Sequence, residues 1–404
     1  MKAVVFSSPG DIRLEDVPEP RIQAPTDAIV RLTVSAICGT DLHFVRGTLP
    51  GMASGTILGH EGVGIVEAVG SAVRNVKPGD RVVIASTIAC GYCAYCRAGY
   101  YAQCDNANPN GKRAGTAFFG GPEMSGAFDG LQAEYARIPF ANVGLTRLPD
   151  EVSDDQAILI SDIFPTGYFG AELAEITPGD TVAVFGCGPV GQFAILSALM
   201  MEAGRVLAVD GRGDRLAMAS KQGAEIIDYN KEDPVGTIVE LTGGIGVDRV
   251  IDAVGVDAET PRQGPAAEKA RQQAAQFKRQ REQVVSEPPA ADSGWEPGDA
   301  PSQALEWCVE SLAKAGTLSV IGVYPQTFQS FPIGAAMMKN LTLKMGNCHH
   351  RRYIPRLVHM VRSGTVDPAT VLTHSEPLSD ALHAFKSFDD RREGWVKVKL
   401  QPGK

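Results

Sequence analysis

The chain has 404 residues, 44% of them hydrophobic and 21% charged, and its formal net charge is −9. This acidic balance argues against nucleic acid and anionic membrane surfaces as partners. The length exceeds what one ordinary core supports and predicts two domains. The N-terminal residues reach a turn and charges too early for a signal peptide, and no apolar run is both long and uninterrupted. We therefore expect a cytoplasmic protein with no membrane segment.

Residues 1–157 consist of short alternating stretches separated by glycine-containing turns, such as AIVRLTVSAI, GVGIVEAVG and KPGDRVVIAS. Alternation of apolar and polar residues is typical of β-strands with one buried face. We therefore predict a β-rich first domain over this range. A helical pattern (YIPRLVHMVRSG) and a short strand (WVKVKL) close the chain, and we expect residues 349–404 to pack back on the first domain.

Residues 158–348 have a different hydrophobic pattern, with six short runs rich in Val, Ile and Leu: TVAVFG, RVLAVD, EIIDY, RVIDAVG, TLSVIGVY and LTLKMG. Helical segments lie between most of them, which predicts an α/β domain with a doubly wound parallel sheet. Residues 257–303 interrupt the alternation with a Gln- and Arg-rich helical stretch and a Pro/Gly-rich loop. We interpret them as a solvated surface insertion; a flap over a bound ligand is the alternative.

A glycine fingerprint, GCGPVG, follows the first of these runs and opens the helix QFAILSALM. Glycine permits a tight turn and close backbone approach, so a pyrophosphate can lie at the helix N-terminus. Asp210, at the end of the next run, would accept hydrogen bonds from ribose hydroxyls and repel a 2′-phosphate. This favours NAD over NADP, although Arg212 or Arg215 could bind that phosphate. The predicted cofactor residues of this motif are Gly186, Gly188, Pro189, Val190, Gly191, Asp210 and Arg215.

Four of the eight cysteines lie in one stretch, CGYCAYCRAGYYAQC, and are Cys90, Cys93, Cys96 and Cys104. In a cytoplasmic chain such a cluster favours metal binding over disulfides, which are the alternative. Four thiolates at this spacing can reach a tetrahedral arrangement around one Zn²⁺ and leave no ligand position open. We therefore predict a structural zinc site. The other cysteines of the second half, Cys187, Cys308 and Cys348, are interpreted as packing residues.

Three further residues are candidates for an open metal site. Cys38 lies in AICGTDLH and His60 in LGHEGVG, and either alone would be interpreted as a buried core residue. Together with a cofactor domain they indicate two zinc ligands. Asp162 lies in LISDIFPTGYFG, a stretch that otherwise predicts burial, so its carboxylate needs a partner. A helix cap near Pro165 is the alternative role for Asp162.

The stretch GHEGVGIVEAVGSAV fits the zinc-containing alcohol dehydrogenase signature GHE-x2-G-x5-G-x2-V. The four-cysteine lobe and the glycine fingerprint follow in the order of that family. The chain therefore resembles the zinc-dependent medium-chain alcohol dehydrogenases over nearly its whole length, residues 257–303 excepted. SDIFPTGYFG is similar to the SDILPTGYHG-like stretch of glutathione-independent formaldehyde dehydrogenases and dismutases. The resemblance implies a GroES-like catalytic domain and a Rossmann cofactor domain.

The resemblance also implies residue roles. The implied ligands of a catalytic zinc are Cys38, His60 and Asp162, with Asp162 at a position that is cysteine in many members. Residues implied to assist are Asp41, which would orient His60, Glu61, which would approach the metal during ligand exchange, and Thr40 and His43, which would form a proton relay. Thr166 and Val190 would line the nicotinamide.

The implied activity is hydride transfer between an alcohol or aldehyde, formaldehyde included, and NAD. Two Zn²⁺ per chain and a homodimer or homotetramer complete the expectation. The alternatives are a polyol or threonine-type secondary alcohol dehydrogenase and a non-catalytic nucleotide-binding relative. In dismutase-like relatives an extended segment covers the adenosine end of NAD, and residues 257–303 lie at about the corresponding place. In GNCHHRR, His349, His350 and Arg351 are interpreted as a surface cluster at a helix start; contact with cofactor or an acidic substrate is the alternative.

Overall fold

The structure is a computed structural model that describes residues 1–285 and 287–403. The chain divides into two compact units. The first comprises Met1–Pro165, Glu287–Trp295 and Asn347–Lys404, and the second comprises Thr166–Ser286 and Glu296–Gly346. Among the described residues, no helix combines the length and apolar composition that crossing a membrane requires.

The strands give two main sheets. In chain order the strands are β1 (Lys2–Ser8), β2 (Asp11–Asp16), β3 (Ala28–Ile37), β4 (Gly62–Val69), β5 (Arg81–Ile84), β6 (Tyr135–Ile138), β7 (Leu145–Arg147), β8 (Thr181–Phe185), β9 (Arg205–Asp210), β10 (Glu225–Asp228), β11 (Val247–Asp252), β12 (Leu312–Val320), β13 (Thr342–Met345), β14 (His374–Pro377) and β15 (Val398–Gln401).

The helices connect and cover these strands. In chain order they are α1 (Gly39–Val45), α2 (Ala94–Arg97), α3 (Ala141–Gly144), α4 (Asp154–Ser161), α5 (Ile163–Leu173), α6 (Pro189–Met200), α7 (Gly213–Gln222), α8 (Pro234–Leu241), α9 (Gly264–Val284), α10 (Gln303–Ser311), α11 (Ile333–Met338), α12 (His350–Arg362) and α13 (Ala381–Asp389).

The first unit is built on a sheet of order β14-β15-β3-β4-β5-β7, with β6 also paired to β3. Its long strand β3 is antiparallel to β4, β6 and β15, so the end of the chain joins the same sheet. The predicted boundary after residue 157 falls inside α4, which stays with this sheet. Ser161, in its last turn, accepts a hydrogen bond from the Gly62 amide (3.0 Å) and donates one to the Ile84 carbonyl (2.6 Å).

The second unit contains a sheet of order β10-β9-β8-β11-β12-β13 in which every pair of neighbours is parallel. Each of the six predicted apolar runs forms one of these strands, so the prediction of a doubly wound α/β domain is confirmed. The strand order reverses next to β8, the strand that precedes the glycine fingerprint. In such sheets ligands bind at the carboxyl ends of the strands beside this switch point.

The insertion contains the predicted polar helix, α9, but one face of that helix is buried. Ala270 and Phe277 pack with Ala258, Ala300 and Ala304 in a small apolar cluster of the second unit. The loop that follows is anchored as well. Residues Glu287–Trp295 belong to the first unit, where Lys386 Nζ donates to the Gly294 carbonyl (2.6 Å) and lies 4.9 Å from the centre of the Trp295 ring. Most residues of 264–284 and 287–295 are nevertheless exposed, so the segment is a surface insertion that is anchored at these two places.

Candidate metal and cofactor sites

Cys38, His60, Glu61 and Asp162 come together in the first unit, with one ligand atom from each lying within 4.8 Å of the others. Cys38 follows β3, His60 and Glu61 precede β4, and Asp162 separates α4 from α5. The Oδ2 atom of Asp162 lies 3.4 Å from His60 Nε2 and 3.7 Å from Cys38 Sγ. All four side chains are buried. The structure thus brings together three segments that the sequence analysis had connected.

The donor atoms of this cluster fit a zinc ion. One sulfur, one imidazole nitrogen and carboxylate oxygen are the ligand types that Zn²⁺ takes in proteins. Glu61 Oε2 is buried and has no hydrogen-bond partner among the described residues. A buried acceptor without a partner costs free energy, and a metal ion or a water molecule bound to it would satisfy this oxygen. The cluster is therefore suited to hold a metal.

The residues of this cluster shift one another's pKa values. Burial raises the pKa of the Cys38 thiol, although His60 opposes the shift. Burial alone would lower the pKa of His60, but Asp41 and Cys38 outweigh it and hold that pKa well above its usual value. Burial alone would raise the pKa of Asp162, yet hydrogen bonds from His350 and His60 hold it well below its usual value. A proton on His60 and a metal ion would satisfy the same Asp162 oxygen, so metal binding here displaces a proton.

Asp41 lies behind His60 and is fully buried. Its Oδ2 atom accepts hydrogen bonds from the Cys38 amide (3.0 Å) and from Gln132 Nε2 (3.1 Å). Its Oδ1 atom lies 3.3 Å from His60 Nδ1. One carboxylate therefore fixes the turn that carries Cys38 and faces the ring nitrogen of His60 that points away from Asp162. This is the arrangement by which carboxylates orient metal-binding histidines.

The two predicted relay residues lie on α1. Thr40 Oγ1 is 4.0 Å from Cys38 Sγ, which places the hydroxyl beside the ligand cluster. His43 is buried, and its Nδ1 atom is 2.8 Å from Thr48 Oγ1. Their role in proton transfer stays a prediction.

Glu61 has a partner that the sequence analysis missed. Lys397 Nζ lies 2.5 Å from Glu61 Oε1 and also donates to the Ile37 carbonyl (3.0 Å). Burial raises the pKa of Glu61 to about 7, although Lys397 opposes this shift. Burial alone would lower the pKa of Lys397, but Glu61 keeps it above its usual value. Lys397 lies in the predicted strand WVKVKL, where nothing local distinguishes an inward lysine from an outward one.

The sequence analysis also misplaced the histidine pair of GNCHHRR. His349 and His350 are both buried, so the interpretation as a surface cluster is wrong. His349 Nδ1 accepts a hydrogen bond from the Ala102 amide (3.2 Å). His350 Nε2 lies 2.7 Å from Asp162 Oδ1, and its Nδ1 atom lies 3.1 Å from Thr87 Oγ1. Asp162 thus has the buried partners that its position requires. Tertiary packing of the start of α12 creates these contacts, and the local sequence carries no signal for them.

The four lobe cysteines form a second candidate metal site, with their sulfur atoms within 4.8 Å of one another. Backbone amides point at these sulfurs: Cys90 Sγ accepts from the amides of Tyr92 (3.4 Å) and Cys93 (3.3 Å), and Cys104 Sγ accepts from the Ala107 amide (3.4 Å). Such thiolate-stabilising contacts fit a closed tetrathiolate zinc site.

The glycine loop in the second unit has no space for side chains at two positions. Gly186, directly after β8, has φ +88°, and a Cβ on Gly191 would lie 1.8 Å from the Gly186 carbonyl oxygen. Gly188, by contrast, has only Arg215 Nη1 within 4 Å of where a Cβ would be (3.6 Å). Gly188 is the N-cap of α6, and Pro189 is its first residue. The loop is therefore tightly turned but open at the helix N-terminus, as a phosphate cradle must be.

Asp210 ends β9 beside this loop. Its Oδ2 atom accepts from the Cys187 amide (2.7 Å), and its Oδ1 atom accepts from the amides of Gly211 (2.7 Å) and Arg212 (2.9 Å). These bonds fix the carboxylate at the edge of the loop, and Oδ2, which has one donor, keeps capacity for a further one. Arg212 forms an ion pair with Glu259 (3.0 Å).

Thr166 and Val190 lie in the first turns of α5 and α6. A Cβ on Gly167 would lie 2.6 Å from the Ala194 amide nitrogen, so these two helices pack backbone to backbone next to Thr166. This close approach belongs to the second unit.

Comparison with known proteins agrees with these sites. The model of the alcohol dehydrogenase GroES-like domain matches residues 24–150, and the zinc-binding dehydrogenase model matches residues 189–264. The uncharacterized zinc-type alcohol dehydrogenase-like protein AdhB of Bacillus subtilis (strain 168) is 36% identical over 406 residues and covers 100% of both chains. The chain belongs to the zinc-type alcohol dehydrogenase family.

Other members of the zinc-type alcohol dehydrogenase family support the same conclusion. The structure of alcohol dehydrogenase TADH from Thermus sp. ATN1 is 33% identical, covers 100% of both chains and gives a TM-score of 0.79. The glutathione-independent formaldehyde dehydrogenase of Pseudomonas aeruginosa (strain LESB58) is 39% identical over 270 residues, which are 64% of this chain and 66% of that protein. The predicted GroES-like and Rossmann fold classes and the family resemblance are confirmed.

Proposed function

We propose that this member of the zinc-type alcohol dehydrogenase family transfers a hydride between an alcohol or aldehyde, formaldehyde included, and NAD. The observation that carries the proposal is the buried convergence of Cys38, His60 and Asp162, a thiol, an imidazole and a carboxylate around one point. Such a set supplies three protein ligands and leaves a fourth position for substrate, which is the arrangement of catalytic zinc sites.

Zinc bound there would supply Lewis acidity and lower the pKa of an alcohol hydroxyl. The chain's own residues do the rest. Asp41 orients the His60 ring, and the Lys397–Glu61 ion pair connects the residue that follows His60 to the Ile37 carbonyl at the end of β3. Thr40, whose hydroxyl lies 4.0 Å from Cys38 Sγ, accepts the proton that the alcohol loses and releases its own, which His43 passes on toward solvent. The aldehyde reduction uses the same groups in reverse.

The cofactor role rests on the glycine loop. The backbone around Gly188 and the N-terminus of α6 receive the pyrophosphate, with Gly186, Pro189 and Gly191 shaping the turn. Asp210 accepts hydrogen bonds from the ribose hydroxyls and disfavours a 2′-phosphate, so the cofactor is NAD. Its neighbour Arg215 contacts the phosphates or the ribose, and Thr166 and Val190 line the nicotinamide.

A second zinc, held by Cys90, Cys93, Cys96 and Cys104, stabilises its lobe and takes no part in the reaction. A cytoplasmic location, where thiols are kept reduced, would suit this ligand set.

We also propose a homodimer or homotetramer. Support comes from an apolar face of the second unit at the edge of its sheet. Ile333, Met337 and Met338 on α11 and Met345 on β13 are 61%, 72%, 85% and 61% exposed. Exposed apolar side chains clustered at an unpaired strand edge are typical of surfaces that another chain covers.

The experiment that tests the function supplies purified protein with formaldehyde alone and follows methanol and formate by NMR. Two formaldehyde molecules and one water give one methanol and one formate, so equal amounts mean that retained NAD is reduced and reoxidised within the protein. No product there, but NADH formation when NAD⁺ and a panel of alcohols are added, means a dehydrogenase with exchangeable cofactor. No product and no NADH with any alcohol contradicts the proposal, and faster turnover with NADP⁺ contradicts the choice of NAD.

A further inference from the structure

The two carboxylate oxygens of Asp162 have different partners, and His350 contacts only one of them. Oδ1 lies 2.7 Å from His350 Nε2, whereas Oδ2 faces His60 Nε2 at 3.4 Å and Cys38 Sγ at 3.7 Å. We propose that His350 is a positioning residue that binds Oδ1 and so presents Oδ2 alone to the metal. This inference rests on the proposed function, in which Asp162 is a zinc ligand.

The direction of the hydrogen bond follows from Asp162, because an ionised carboxylate can only accept, so His350 Nε2 carries the proton and donates to Oδ1. In the neutral imidazole Nδ1 is then an acceptor, and the Thr87 hydroxyl, 3.1 Å away, donates to it. His350 and Thr87 are 3% and 7% exposed, which leaves little water to compete for these bonds. The chain Thr87–His350–Asp162 therefore fixes both the tautomer of His350 and the orientation of the carboxylate.

The hydrogen bond from His350 restricts how the Asp162 carboxylate can bind a metal. A thiolate has one donor atom, whereas a carboxylate can bind a metal through either oxygen or through both. Binding through both would raise the coordination number and occupy space that substrate needs. A hydrogen bond that engages Oδ1 removes this freedom. His350 thereby makes an aspartate act like the single-atom ligand found at this position in many family members.

The test compares His350→Leu with His350→Gln, which keeps an N–H donor, and with His349→Leu, which removes a neighbouring buried histidine that bonds the Ala102 amide instead. Protein dialysed against graded concentrations of a zinc chelator is assayed for bound zinc. Loss of an outer partner of a metal ligand typically weakens metal binding 10–100-fold. We expect the more labile zinc of His350→Leu to leave at about 10–100-fold lower free chelator, with His350→Gln closer to wild type and His349→Leu like wild type.

A second measurement reports geometry. Cobalt(II) is added to protein whose labile zinc has been removed, and the visible d–d bands are recorded. These bands are strong for four-coordinate cobalt and weaken as the coordination number rises. We expect weaker bands for His350→Leu and an intermediate effect for Thr87→Val, which also serves if His350→Leu does not fold. Wild-type chelator resistance and wild-type bands in both variants would overturn the inference.

Asp162→Ala separates this inference from the proposed function. If Asp162→Ala binds both zinc ions as wild type does, Asp162 is not a ligand, and the proposed site itself fails. If Asp162→Ala loses one zinc while His350→Leu behaves as wild type, the site stands and only the positioning role is wrong.

Discussion

Lys397 and Glu61 lie 336 residues apart in the sequence and form an ion pair in which neither side chain is exposed. The lysine comes from the last segment of the chain, and the glutamate follows the candidate zinc ligand His60. Because Lys397 also binds the carbonyl of Ile37, next to Cys38, one ammonium group contacts both strand ends that carry ligands. The ion pair therefore helps to hold the two ligand-bearing strand ends together.

Lys397→Met should destabilise the protein strongly, because Glu61 then stays buried without its counter-charge. Removing one partner of a buried ion pair costs about 3–5 kcal/mol. Urea unfolding followed by circular dichroism measures the change. The double variant Lys397→Met with Glu61→Gln should recover much of the loss, since no uncompensated charge remains. A single variant as stable as wild type would show that the pair contributes little.

Asp162→Cys should keep the metal but slow the reaction. One thiolate replaces one carboxylate, so the charge around Zn²⁺ is unchanged. Sulfur donates more charge than carboxylate oxygen, so the metal becomes a weaker Lewis acid. We expect bound zinc to stay at the wild-type level in elemental analysis while kcat falls. Full turnover with wild-type zinc content would contradict this account of the aspartate.

Gly191→Ala should weaken cofactor binding without releasing zinc. Its Cβ would lie 1.8 Å from the Gly186 carbonyl oxygen, so the loop must shift away from the conformation that receives the pyrophosphate. We expect the KM for NAD to rise at least ~10-fold, the equivalent of about 1.4 kcal/mol. Gly213→Ala is the matched control, because a Cβ at that helix-start glycine meets nothing within 4 Å. Equal KM values for the two variants would remove the loop from the cofactor site.

Thr40→Ala should slow turnover and leave zinc in place. The hydroxyl lies 4.0 Å from Cys38 Sγ but belongs to no ligand, so its loss affects proton transfer and not metal binding. A positioned group for proton transfer typically contributes 10²–10⁴-fold, and we expect a fall in kcat of about 10²-fold or more. Steady-state kinetics and zinc analysis on the same sample provide the measurement. An unchanged rate would take Thr40 out of the relay.

Motifs with fixed spacing could be predicted from the sequence. Three motifs each combine a residue type with a local geometry: the glycine fingerprint, the four-cysteine lobe and the GHE signature. The two fold classes and the candidate ligands could therefore be predicted from them. The strands of the second unit could also be predicted, because strands that are buried on both faces form nearly uninterrupted runs of hydrophobic residues.

Contacts made only by tertiary packing could not be predicted. His350 and Lys397 touch Asp162 and Glu61 across 188 and 336 residues, and their own neighbourhoods are an ordinary helix start and an ordinary strand. Trp295 is similar: its Pro/Gly-rich surroundings suggest a solvated loop, yet its ring packs against the core of the first unit. Composition reports whether a segment can be exposed, but not whether another part of the chain covers it.

The placement of residues 347–404 in the first unit has a consequence for biosynthesis. The candidate zinc ligands are all translated by residue 162, but the groups that hold Asp162 and neutralise Glu61 are translated later, His350 at the start of α12 and Lys397 just before β15. Domains generally fold as they emerge. A nascent chain that ends before residue 350 therefore carries the ligands without the residues that support them, and the metal site reaches its final form only after Lys397 has been translated.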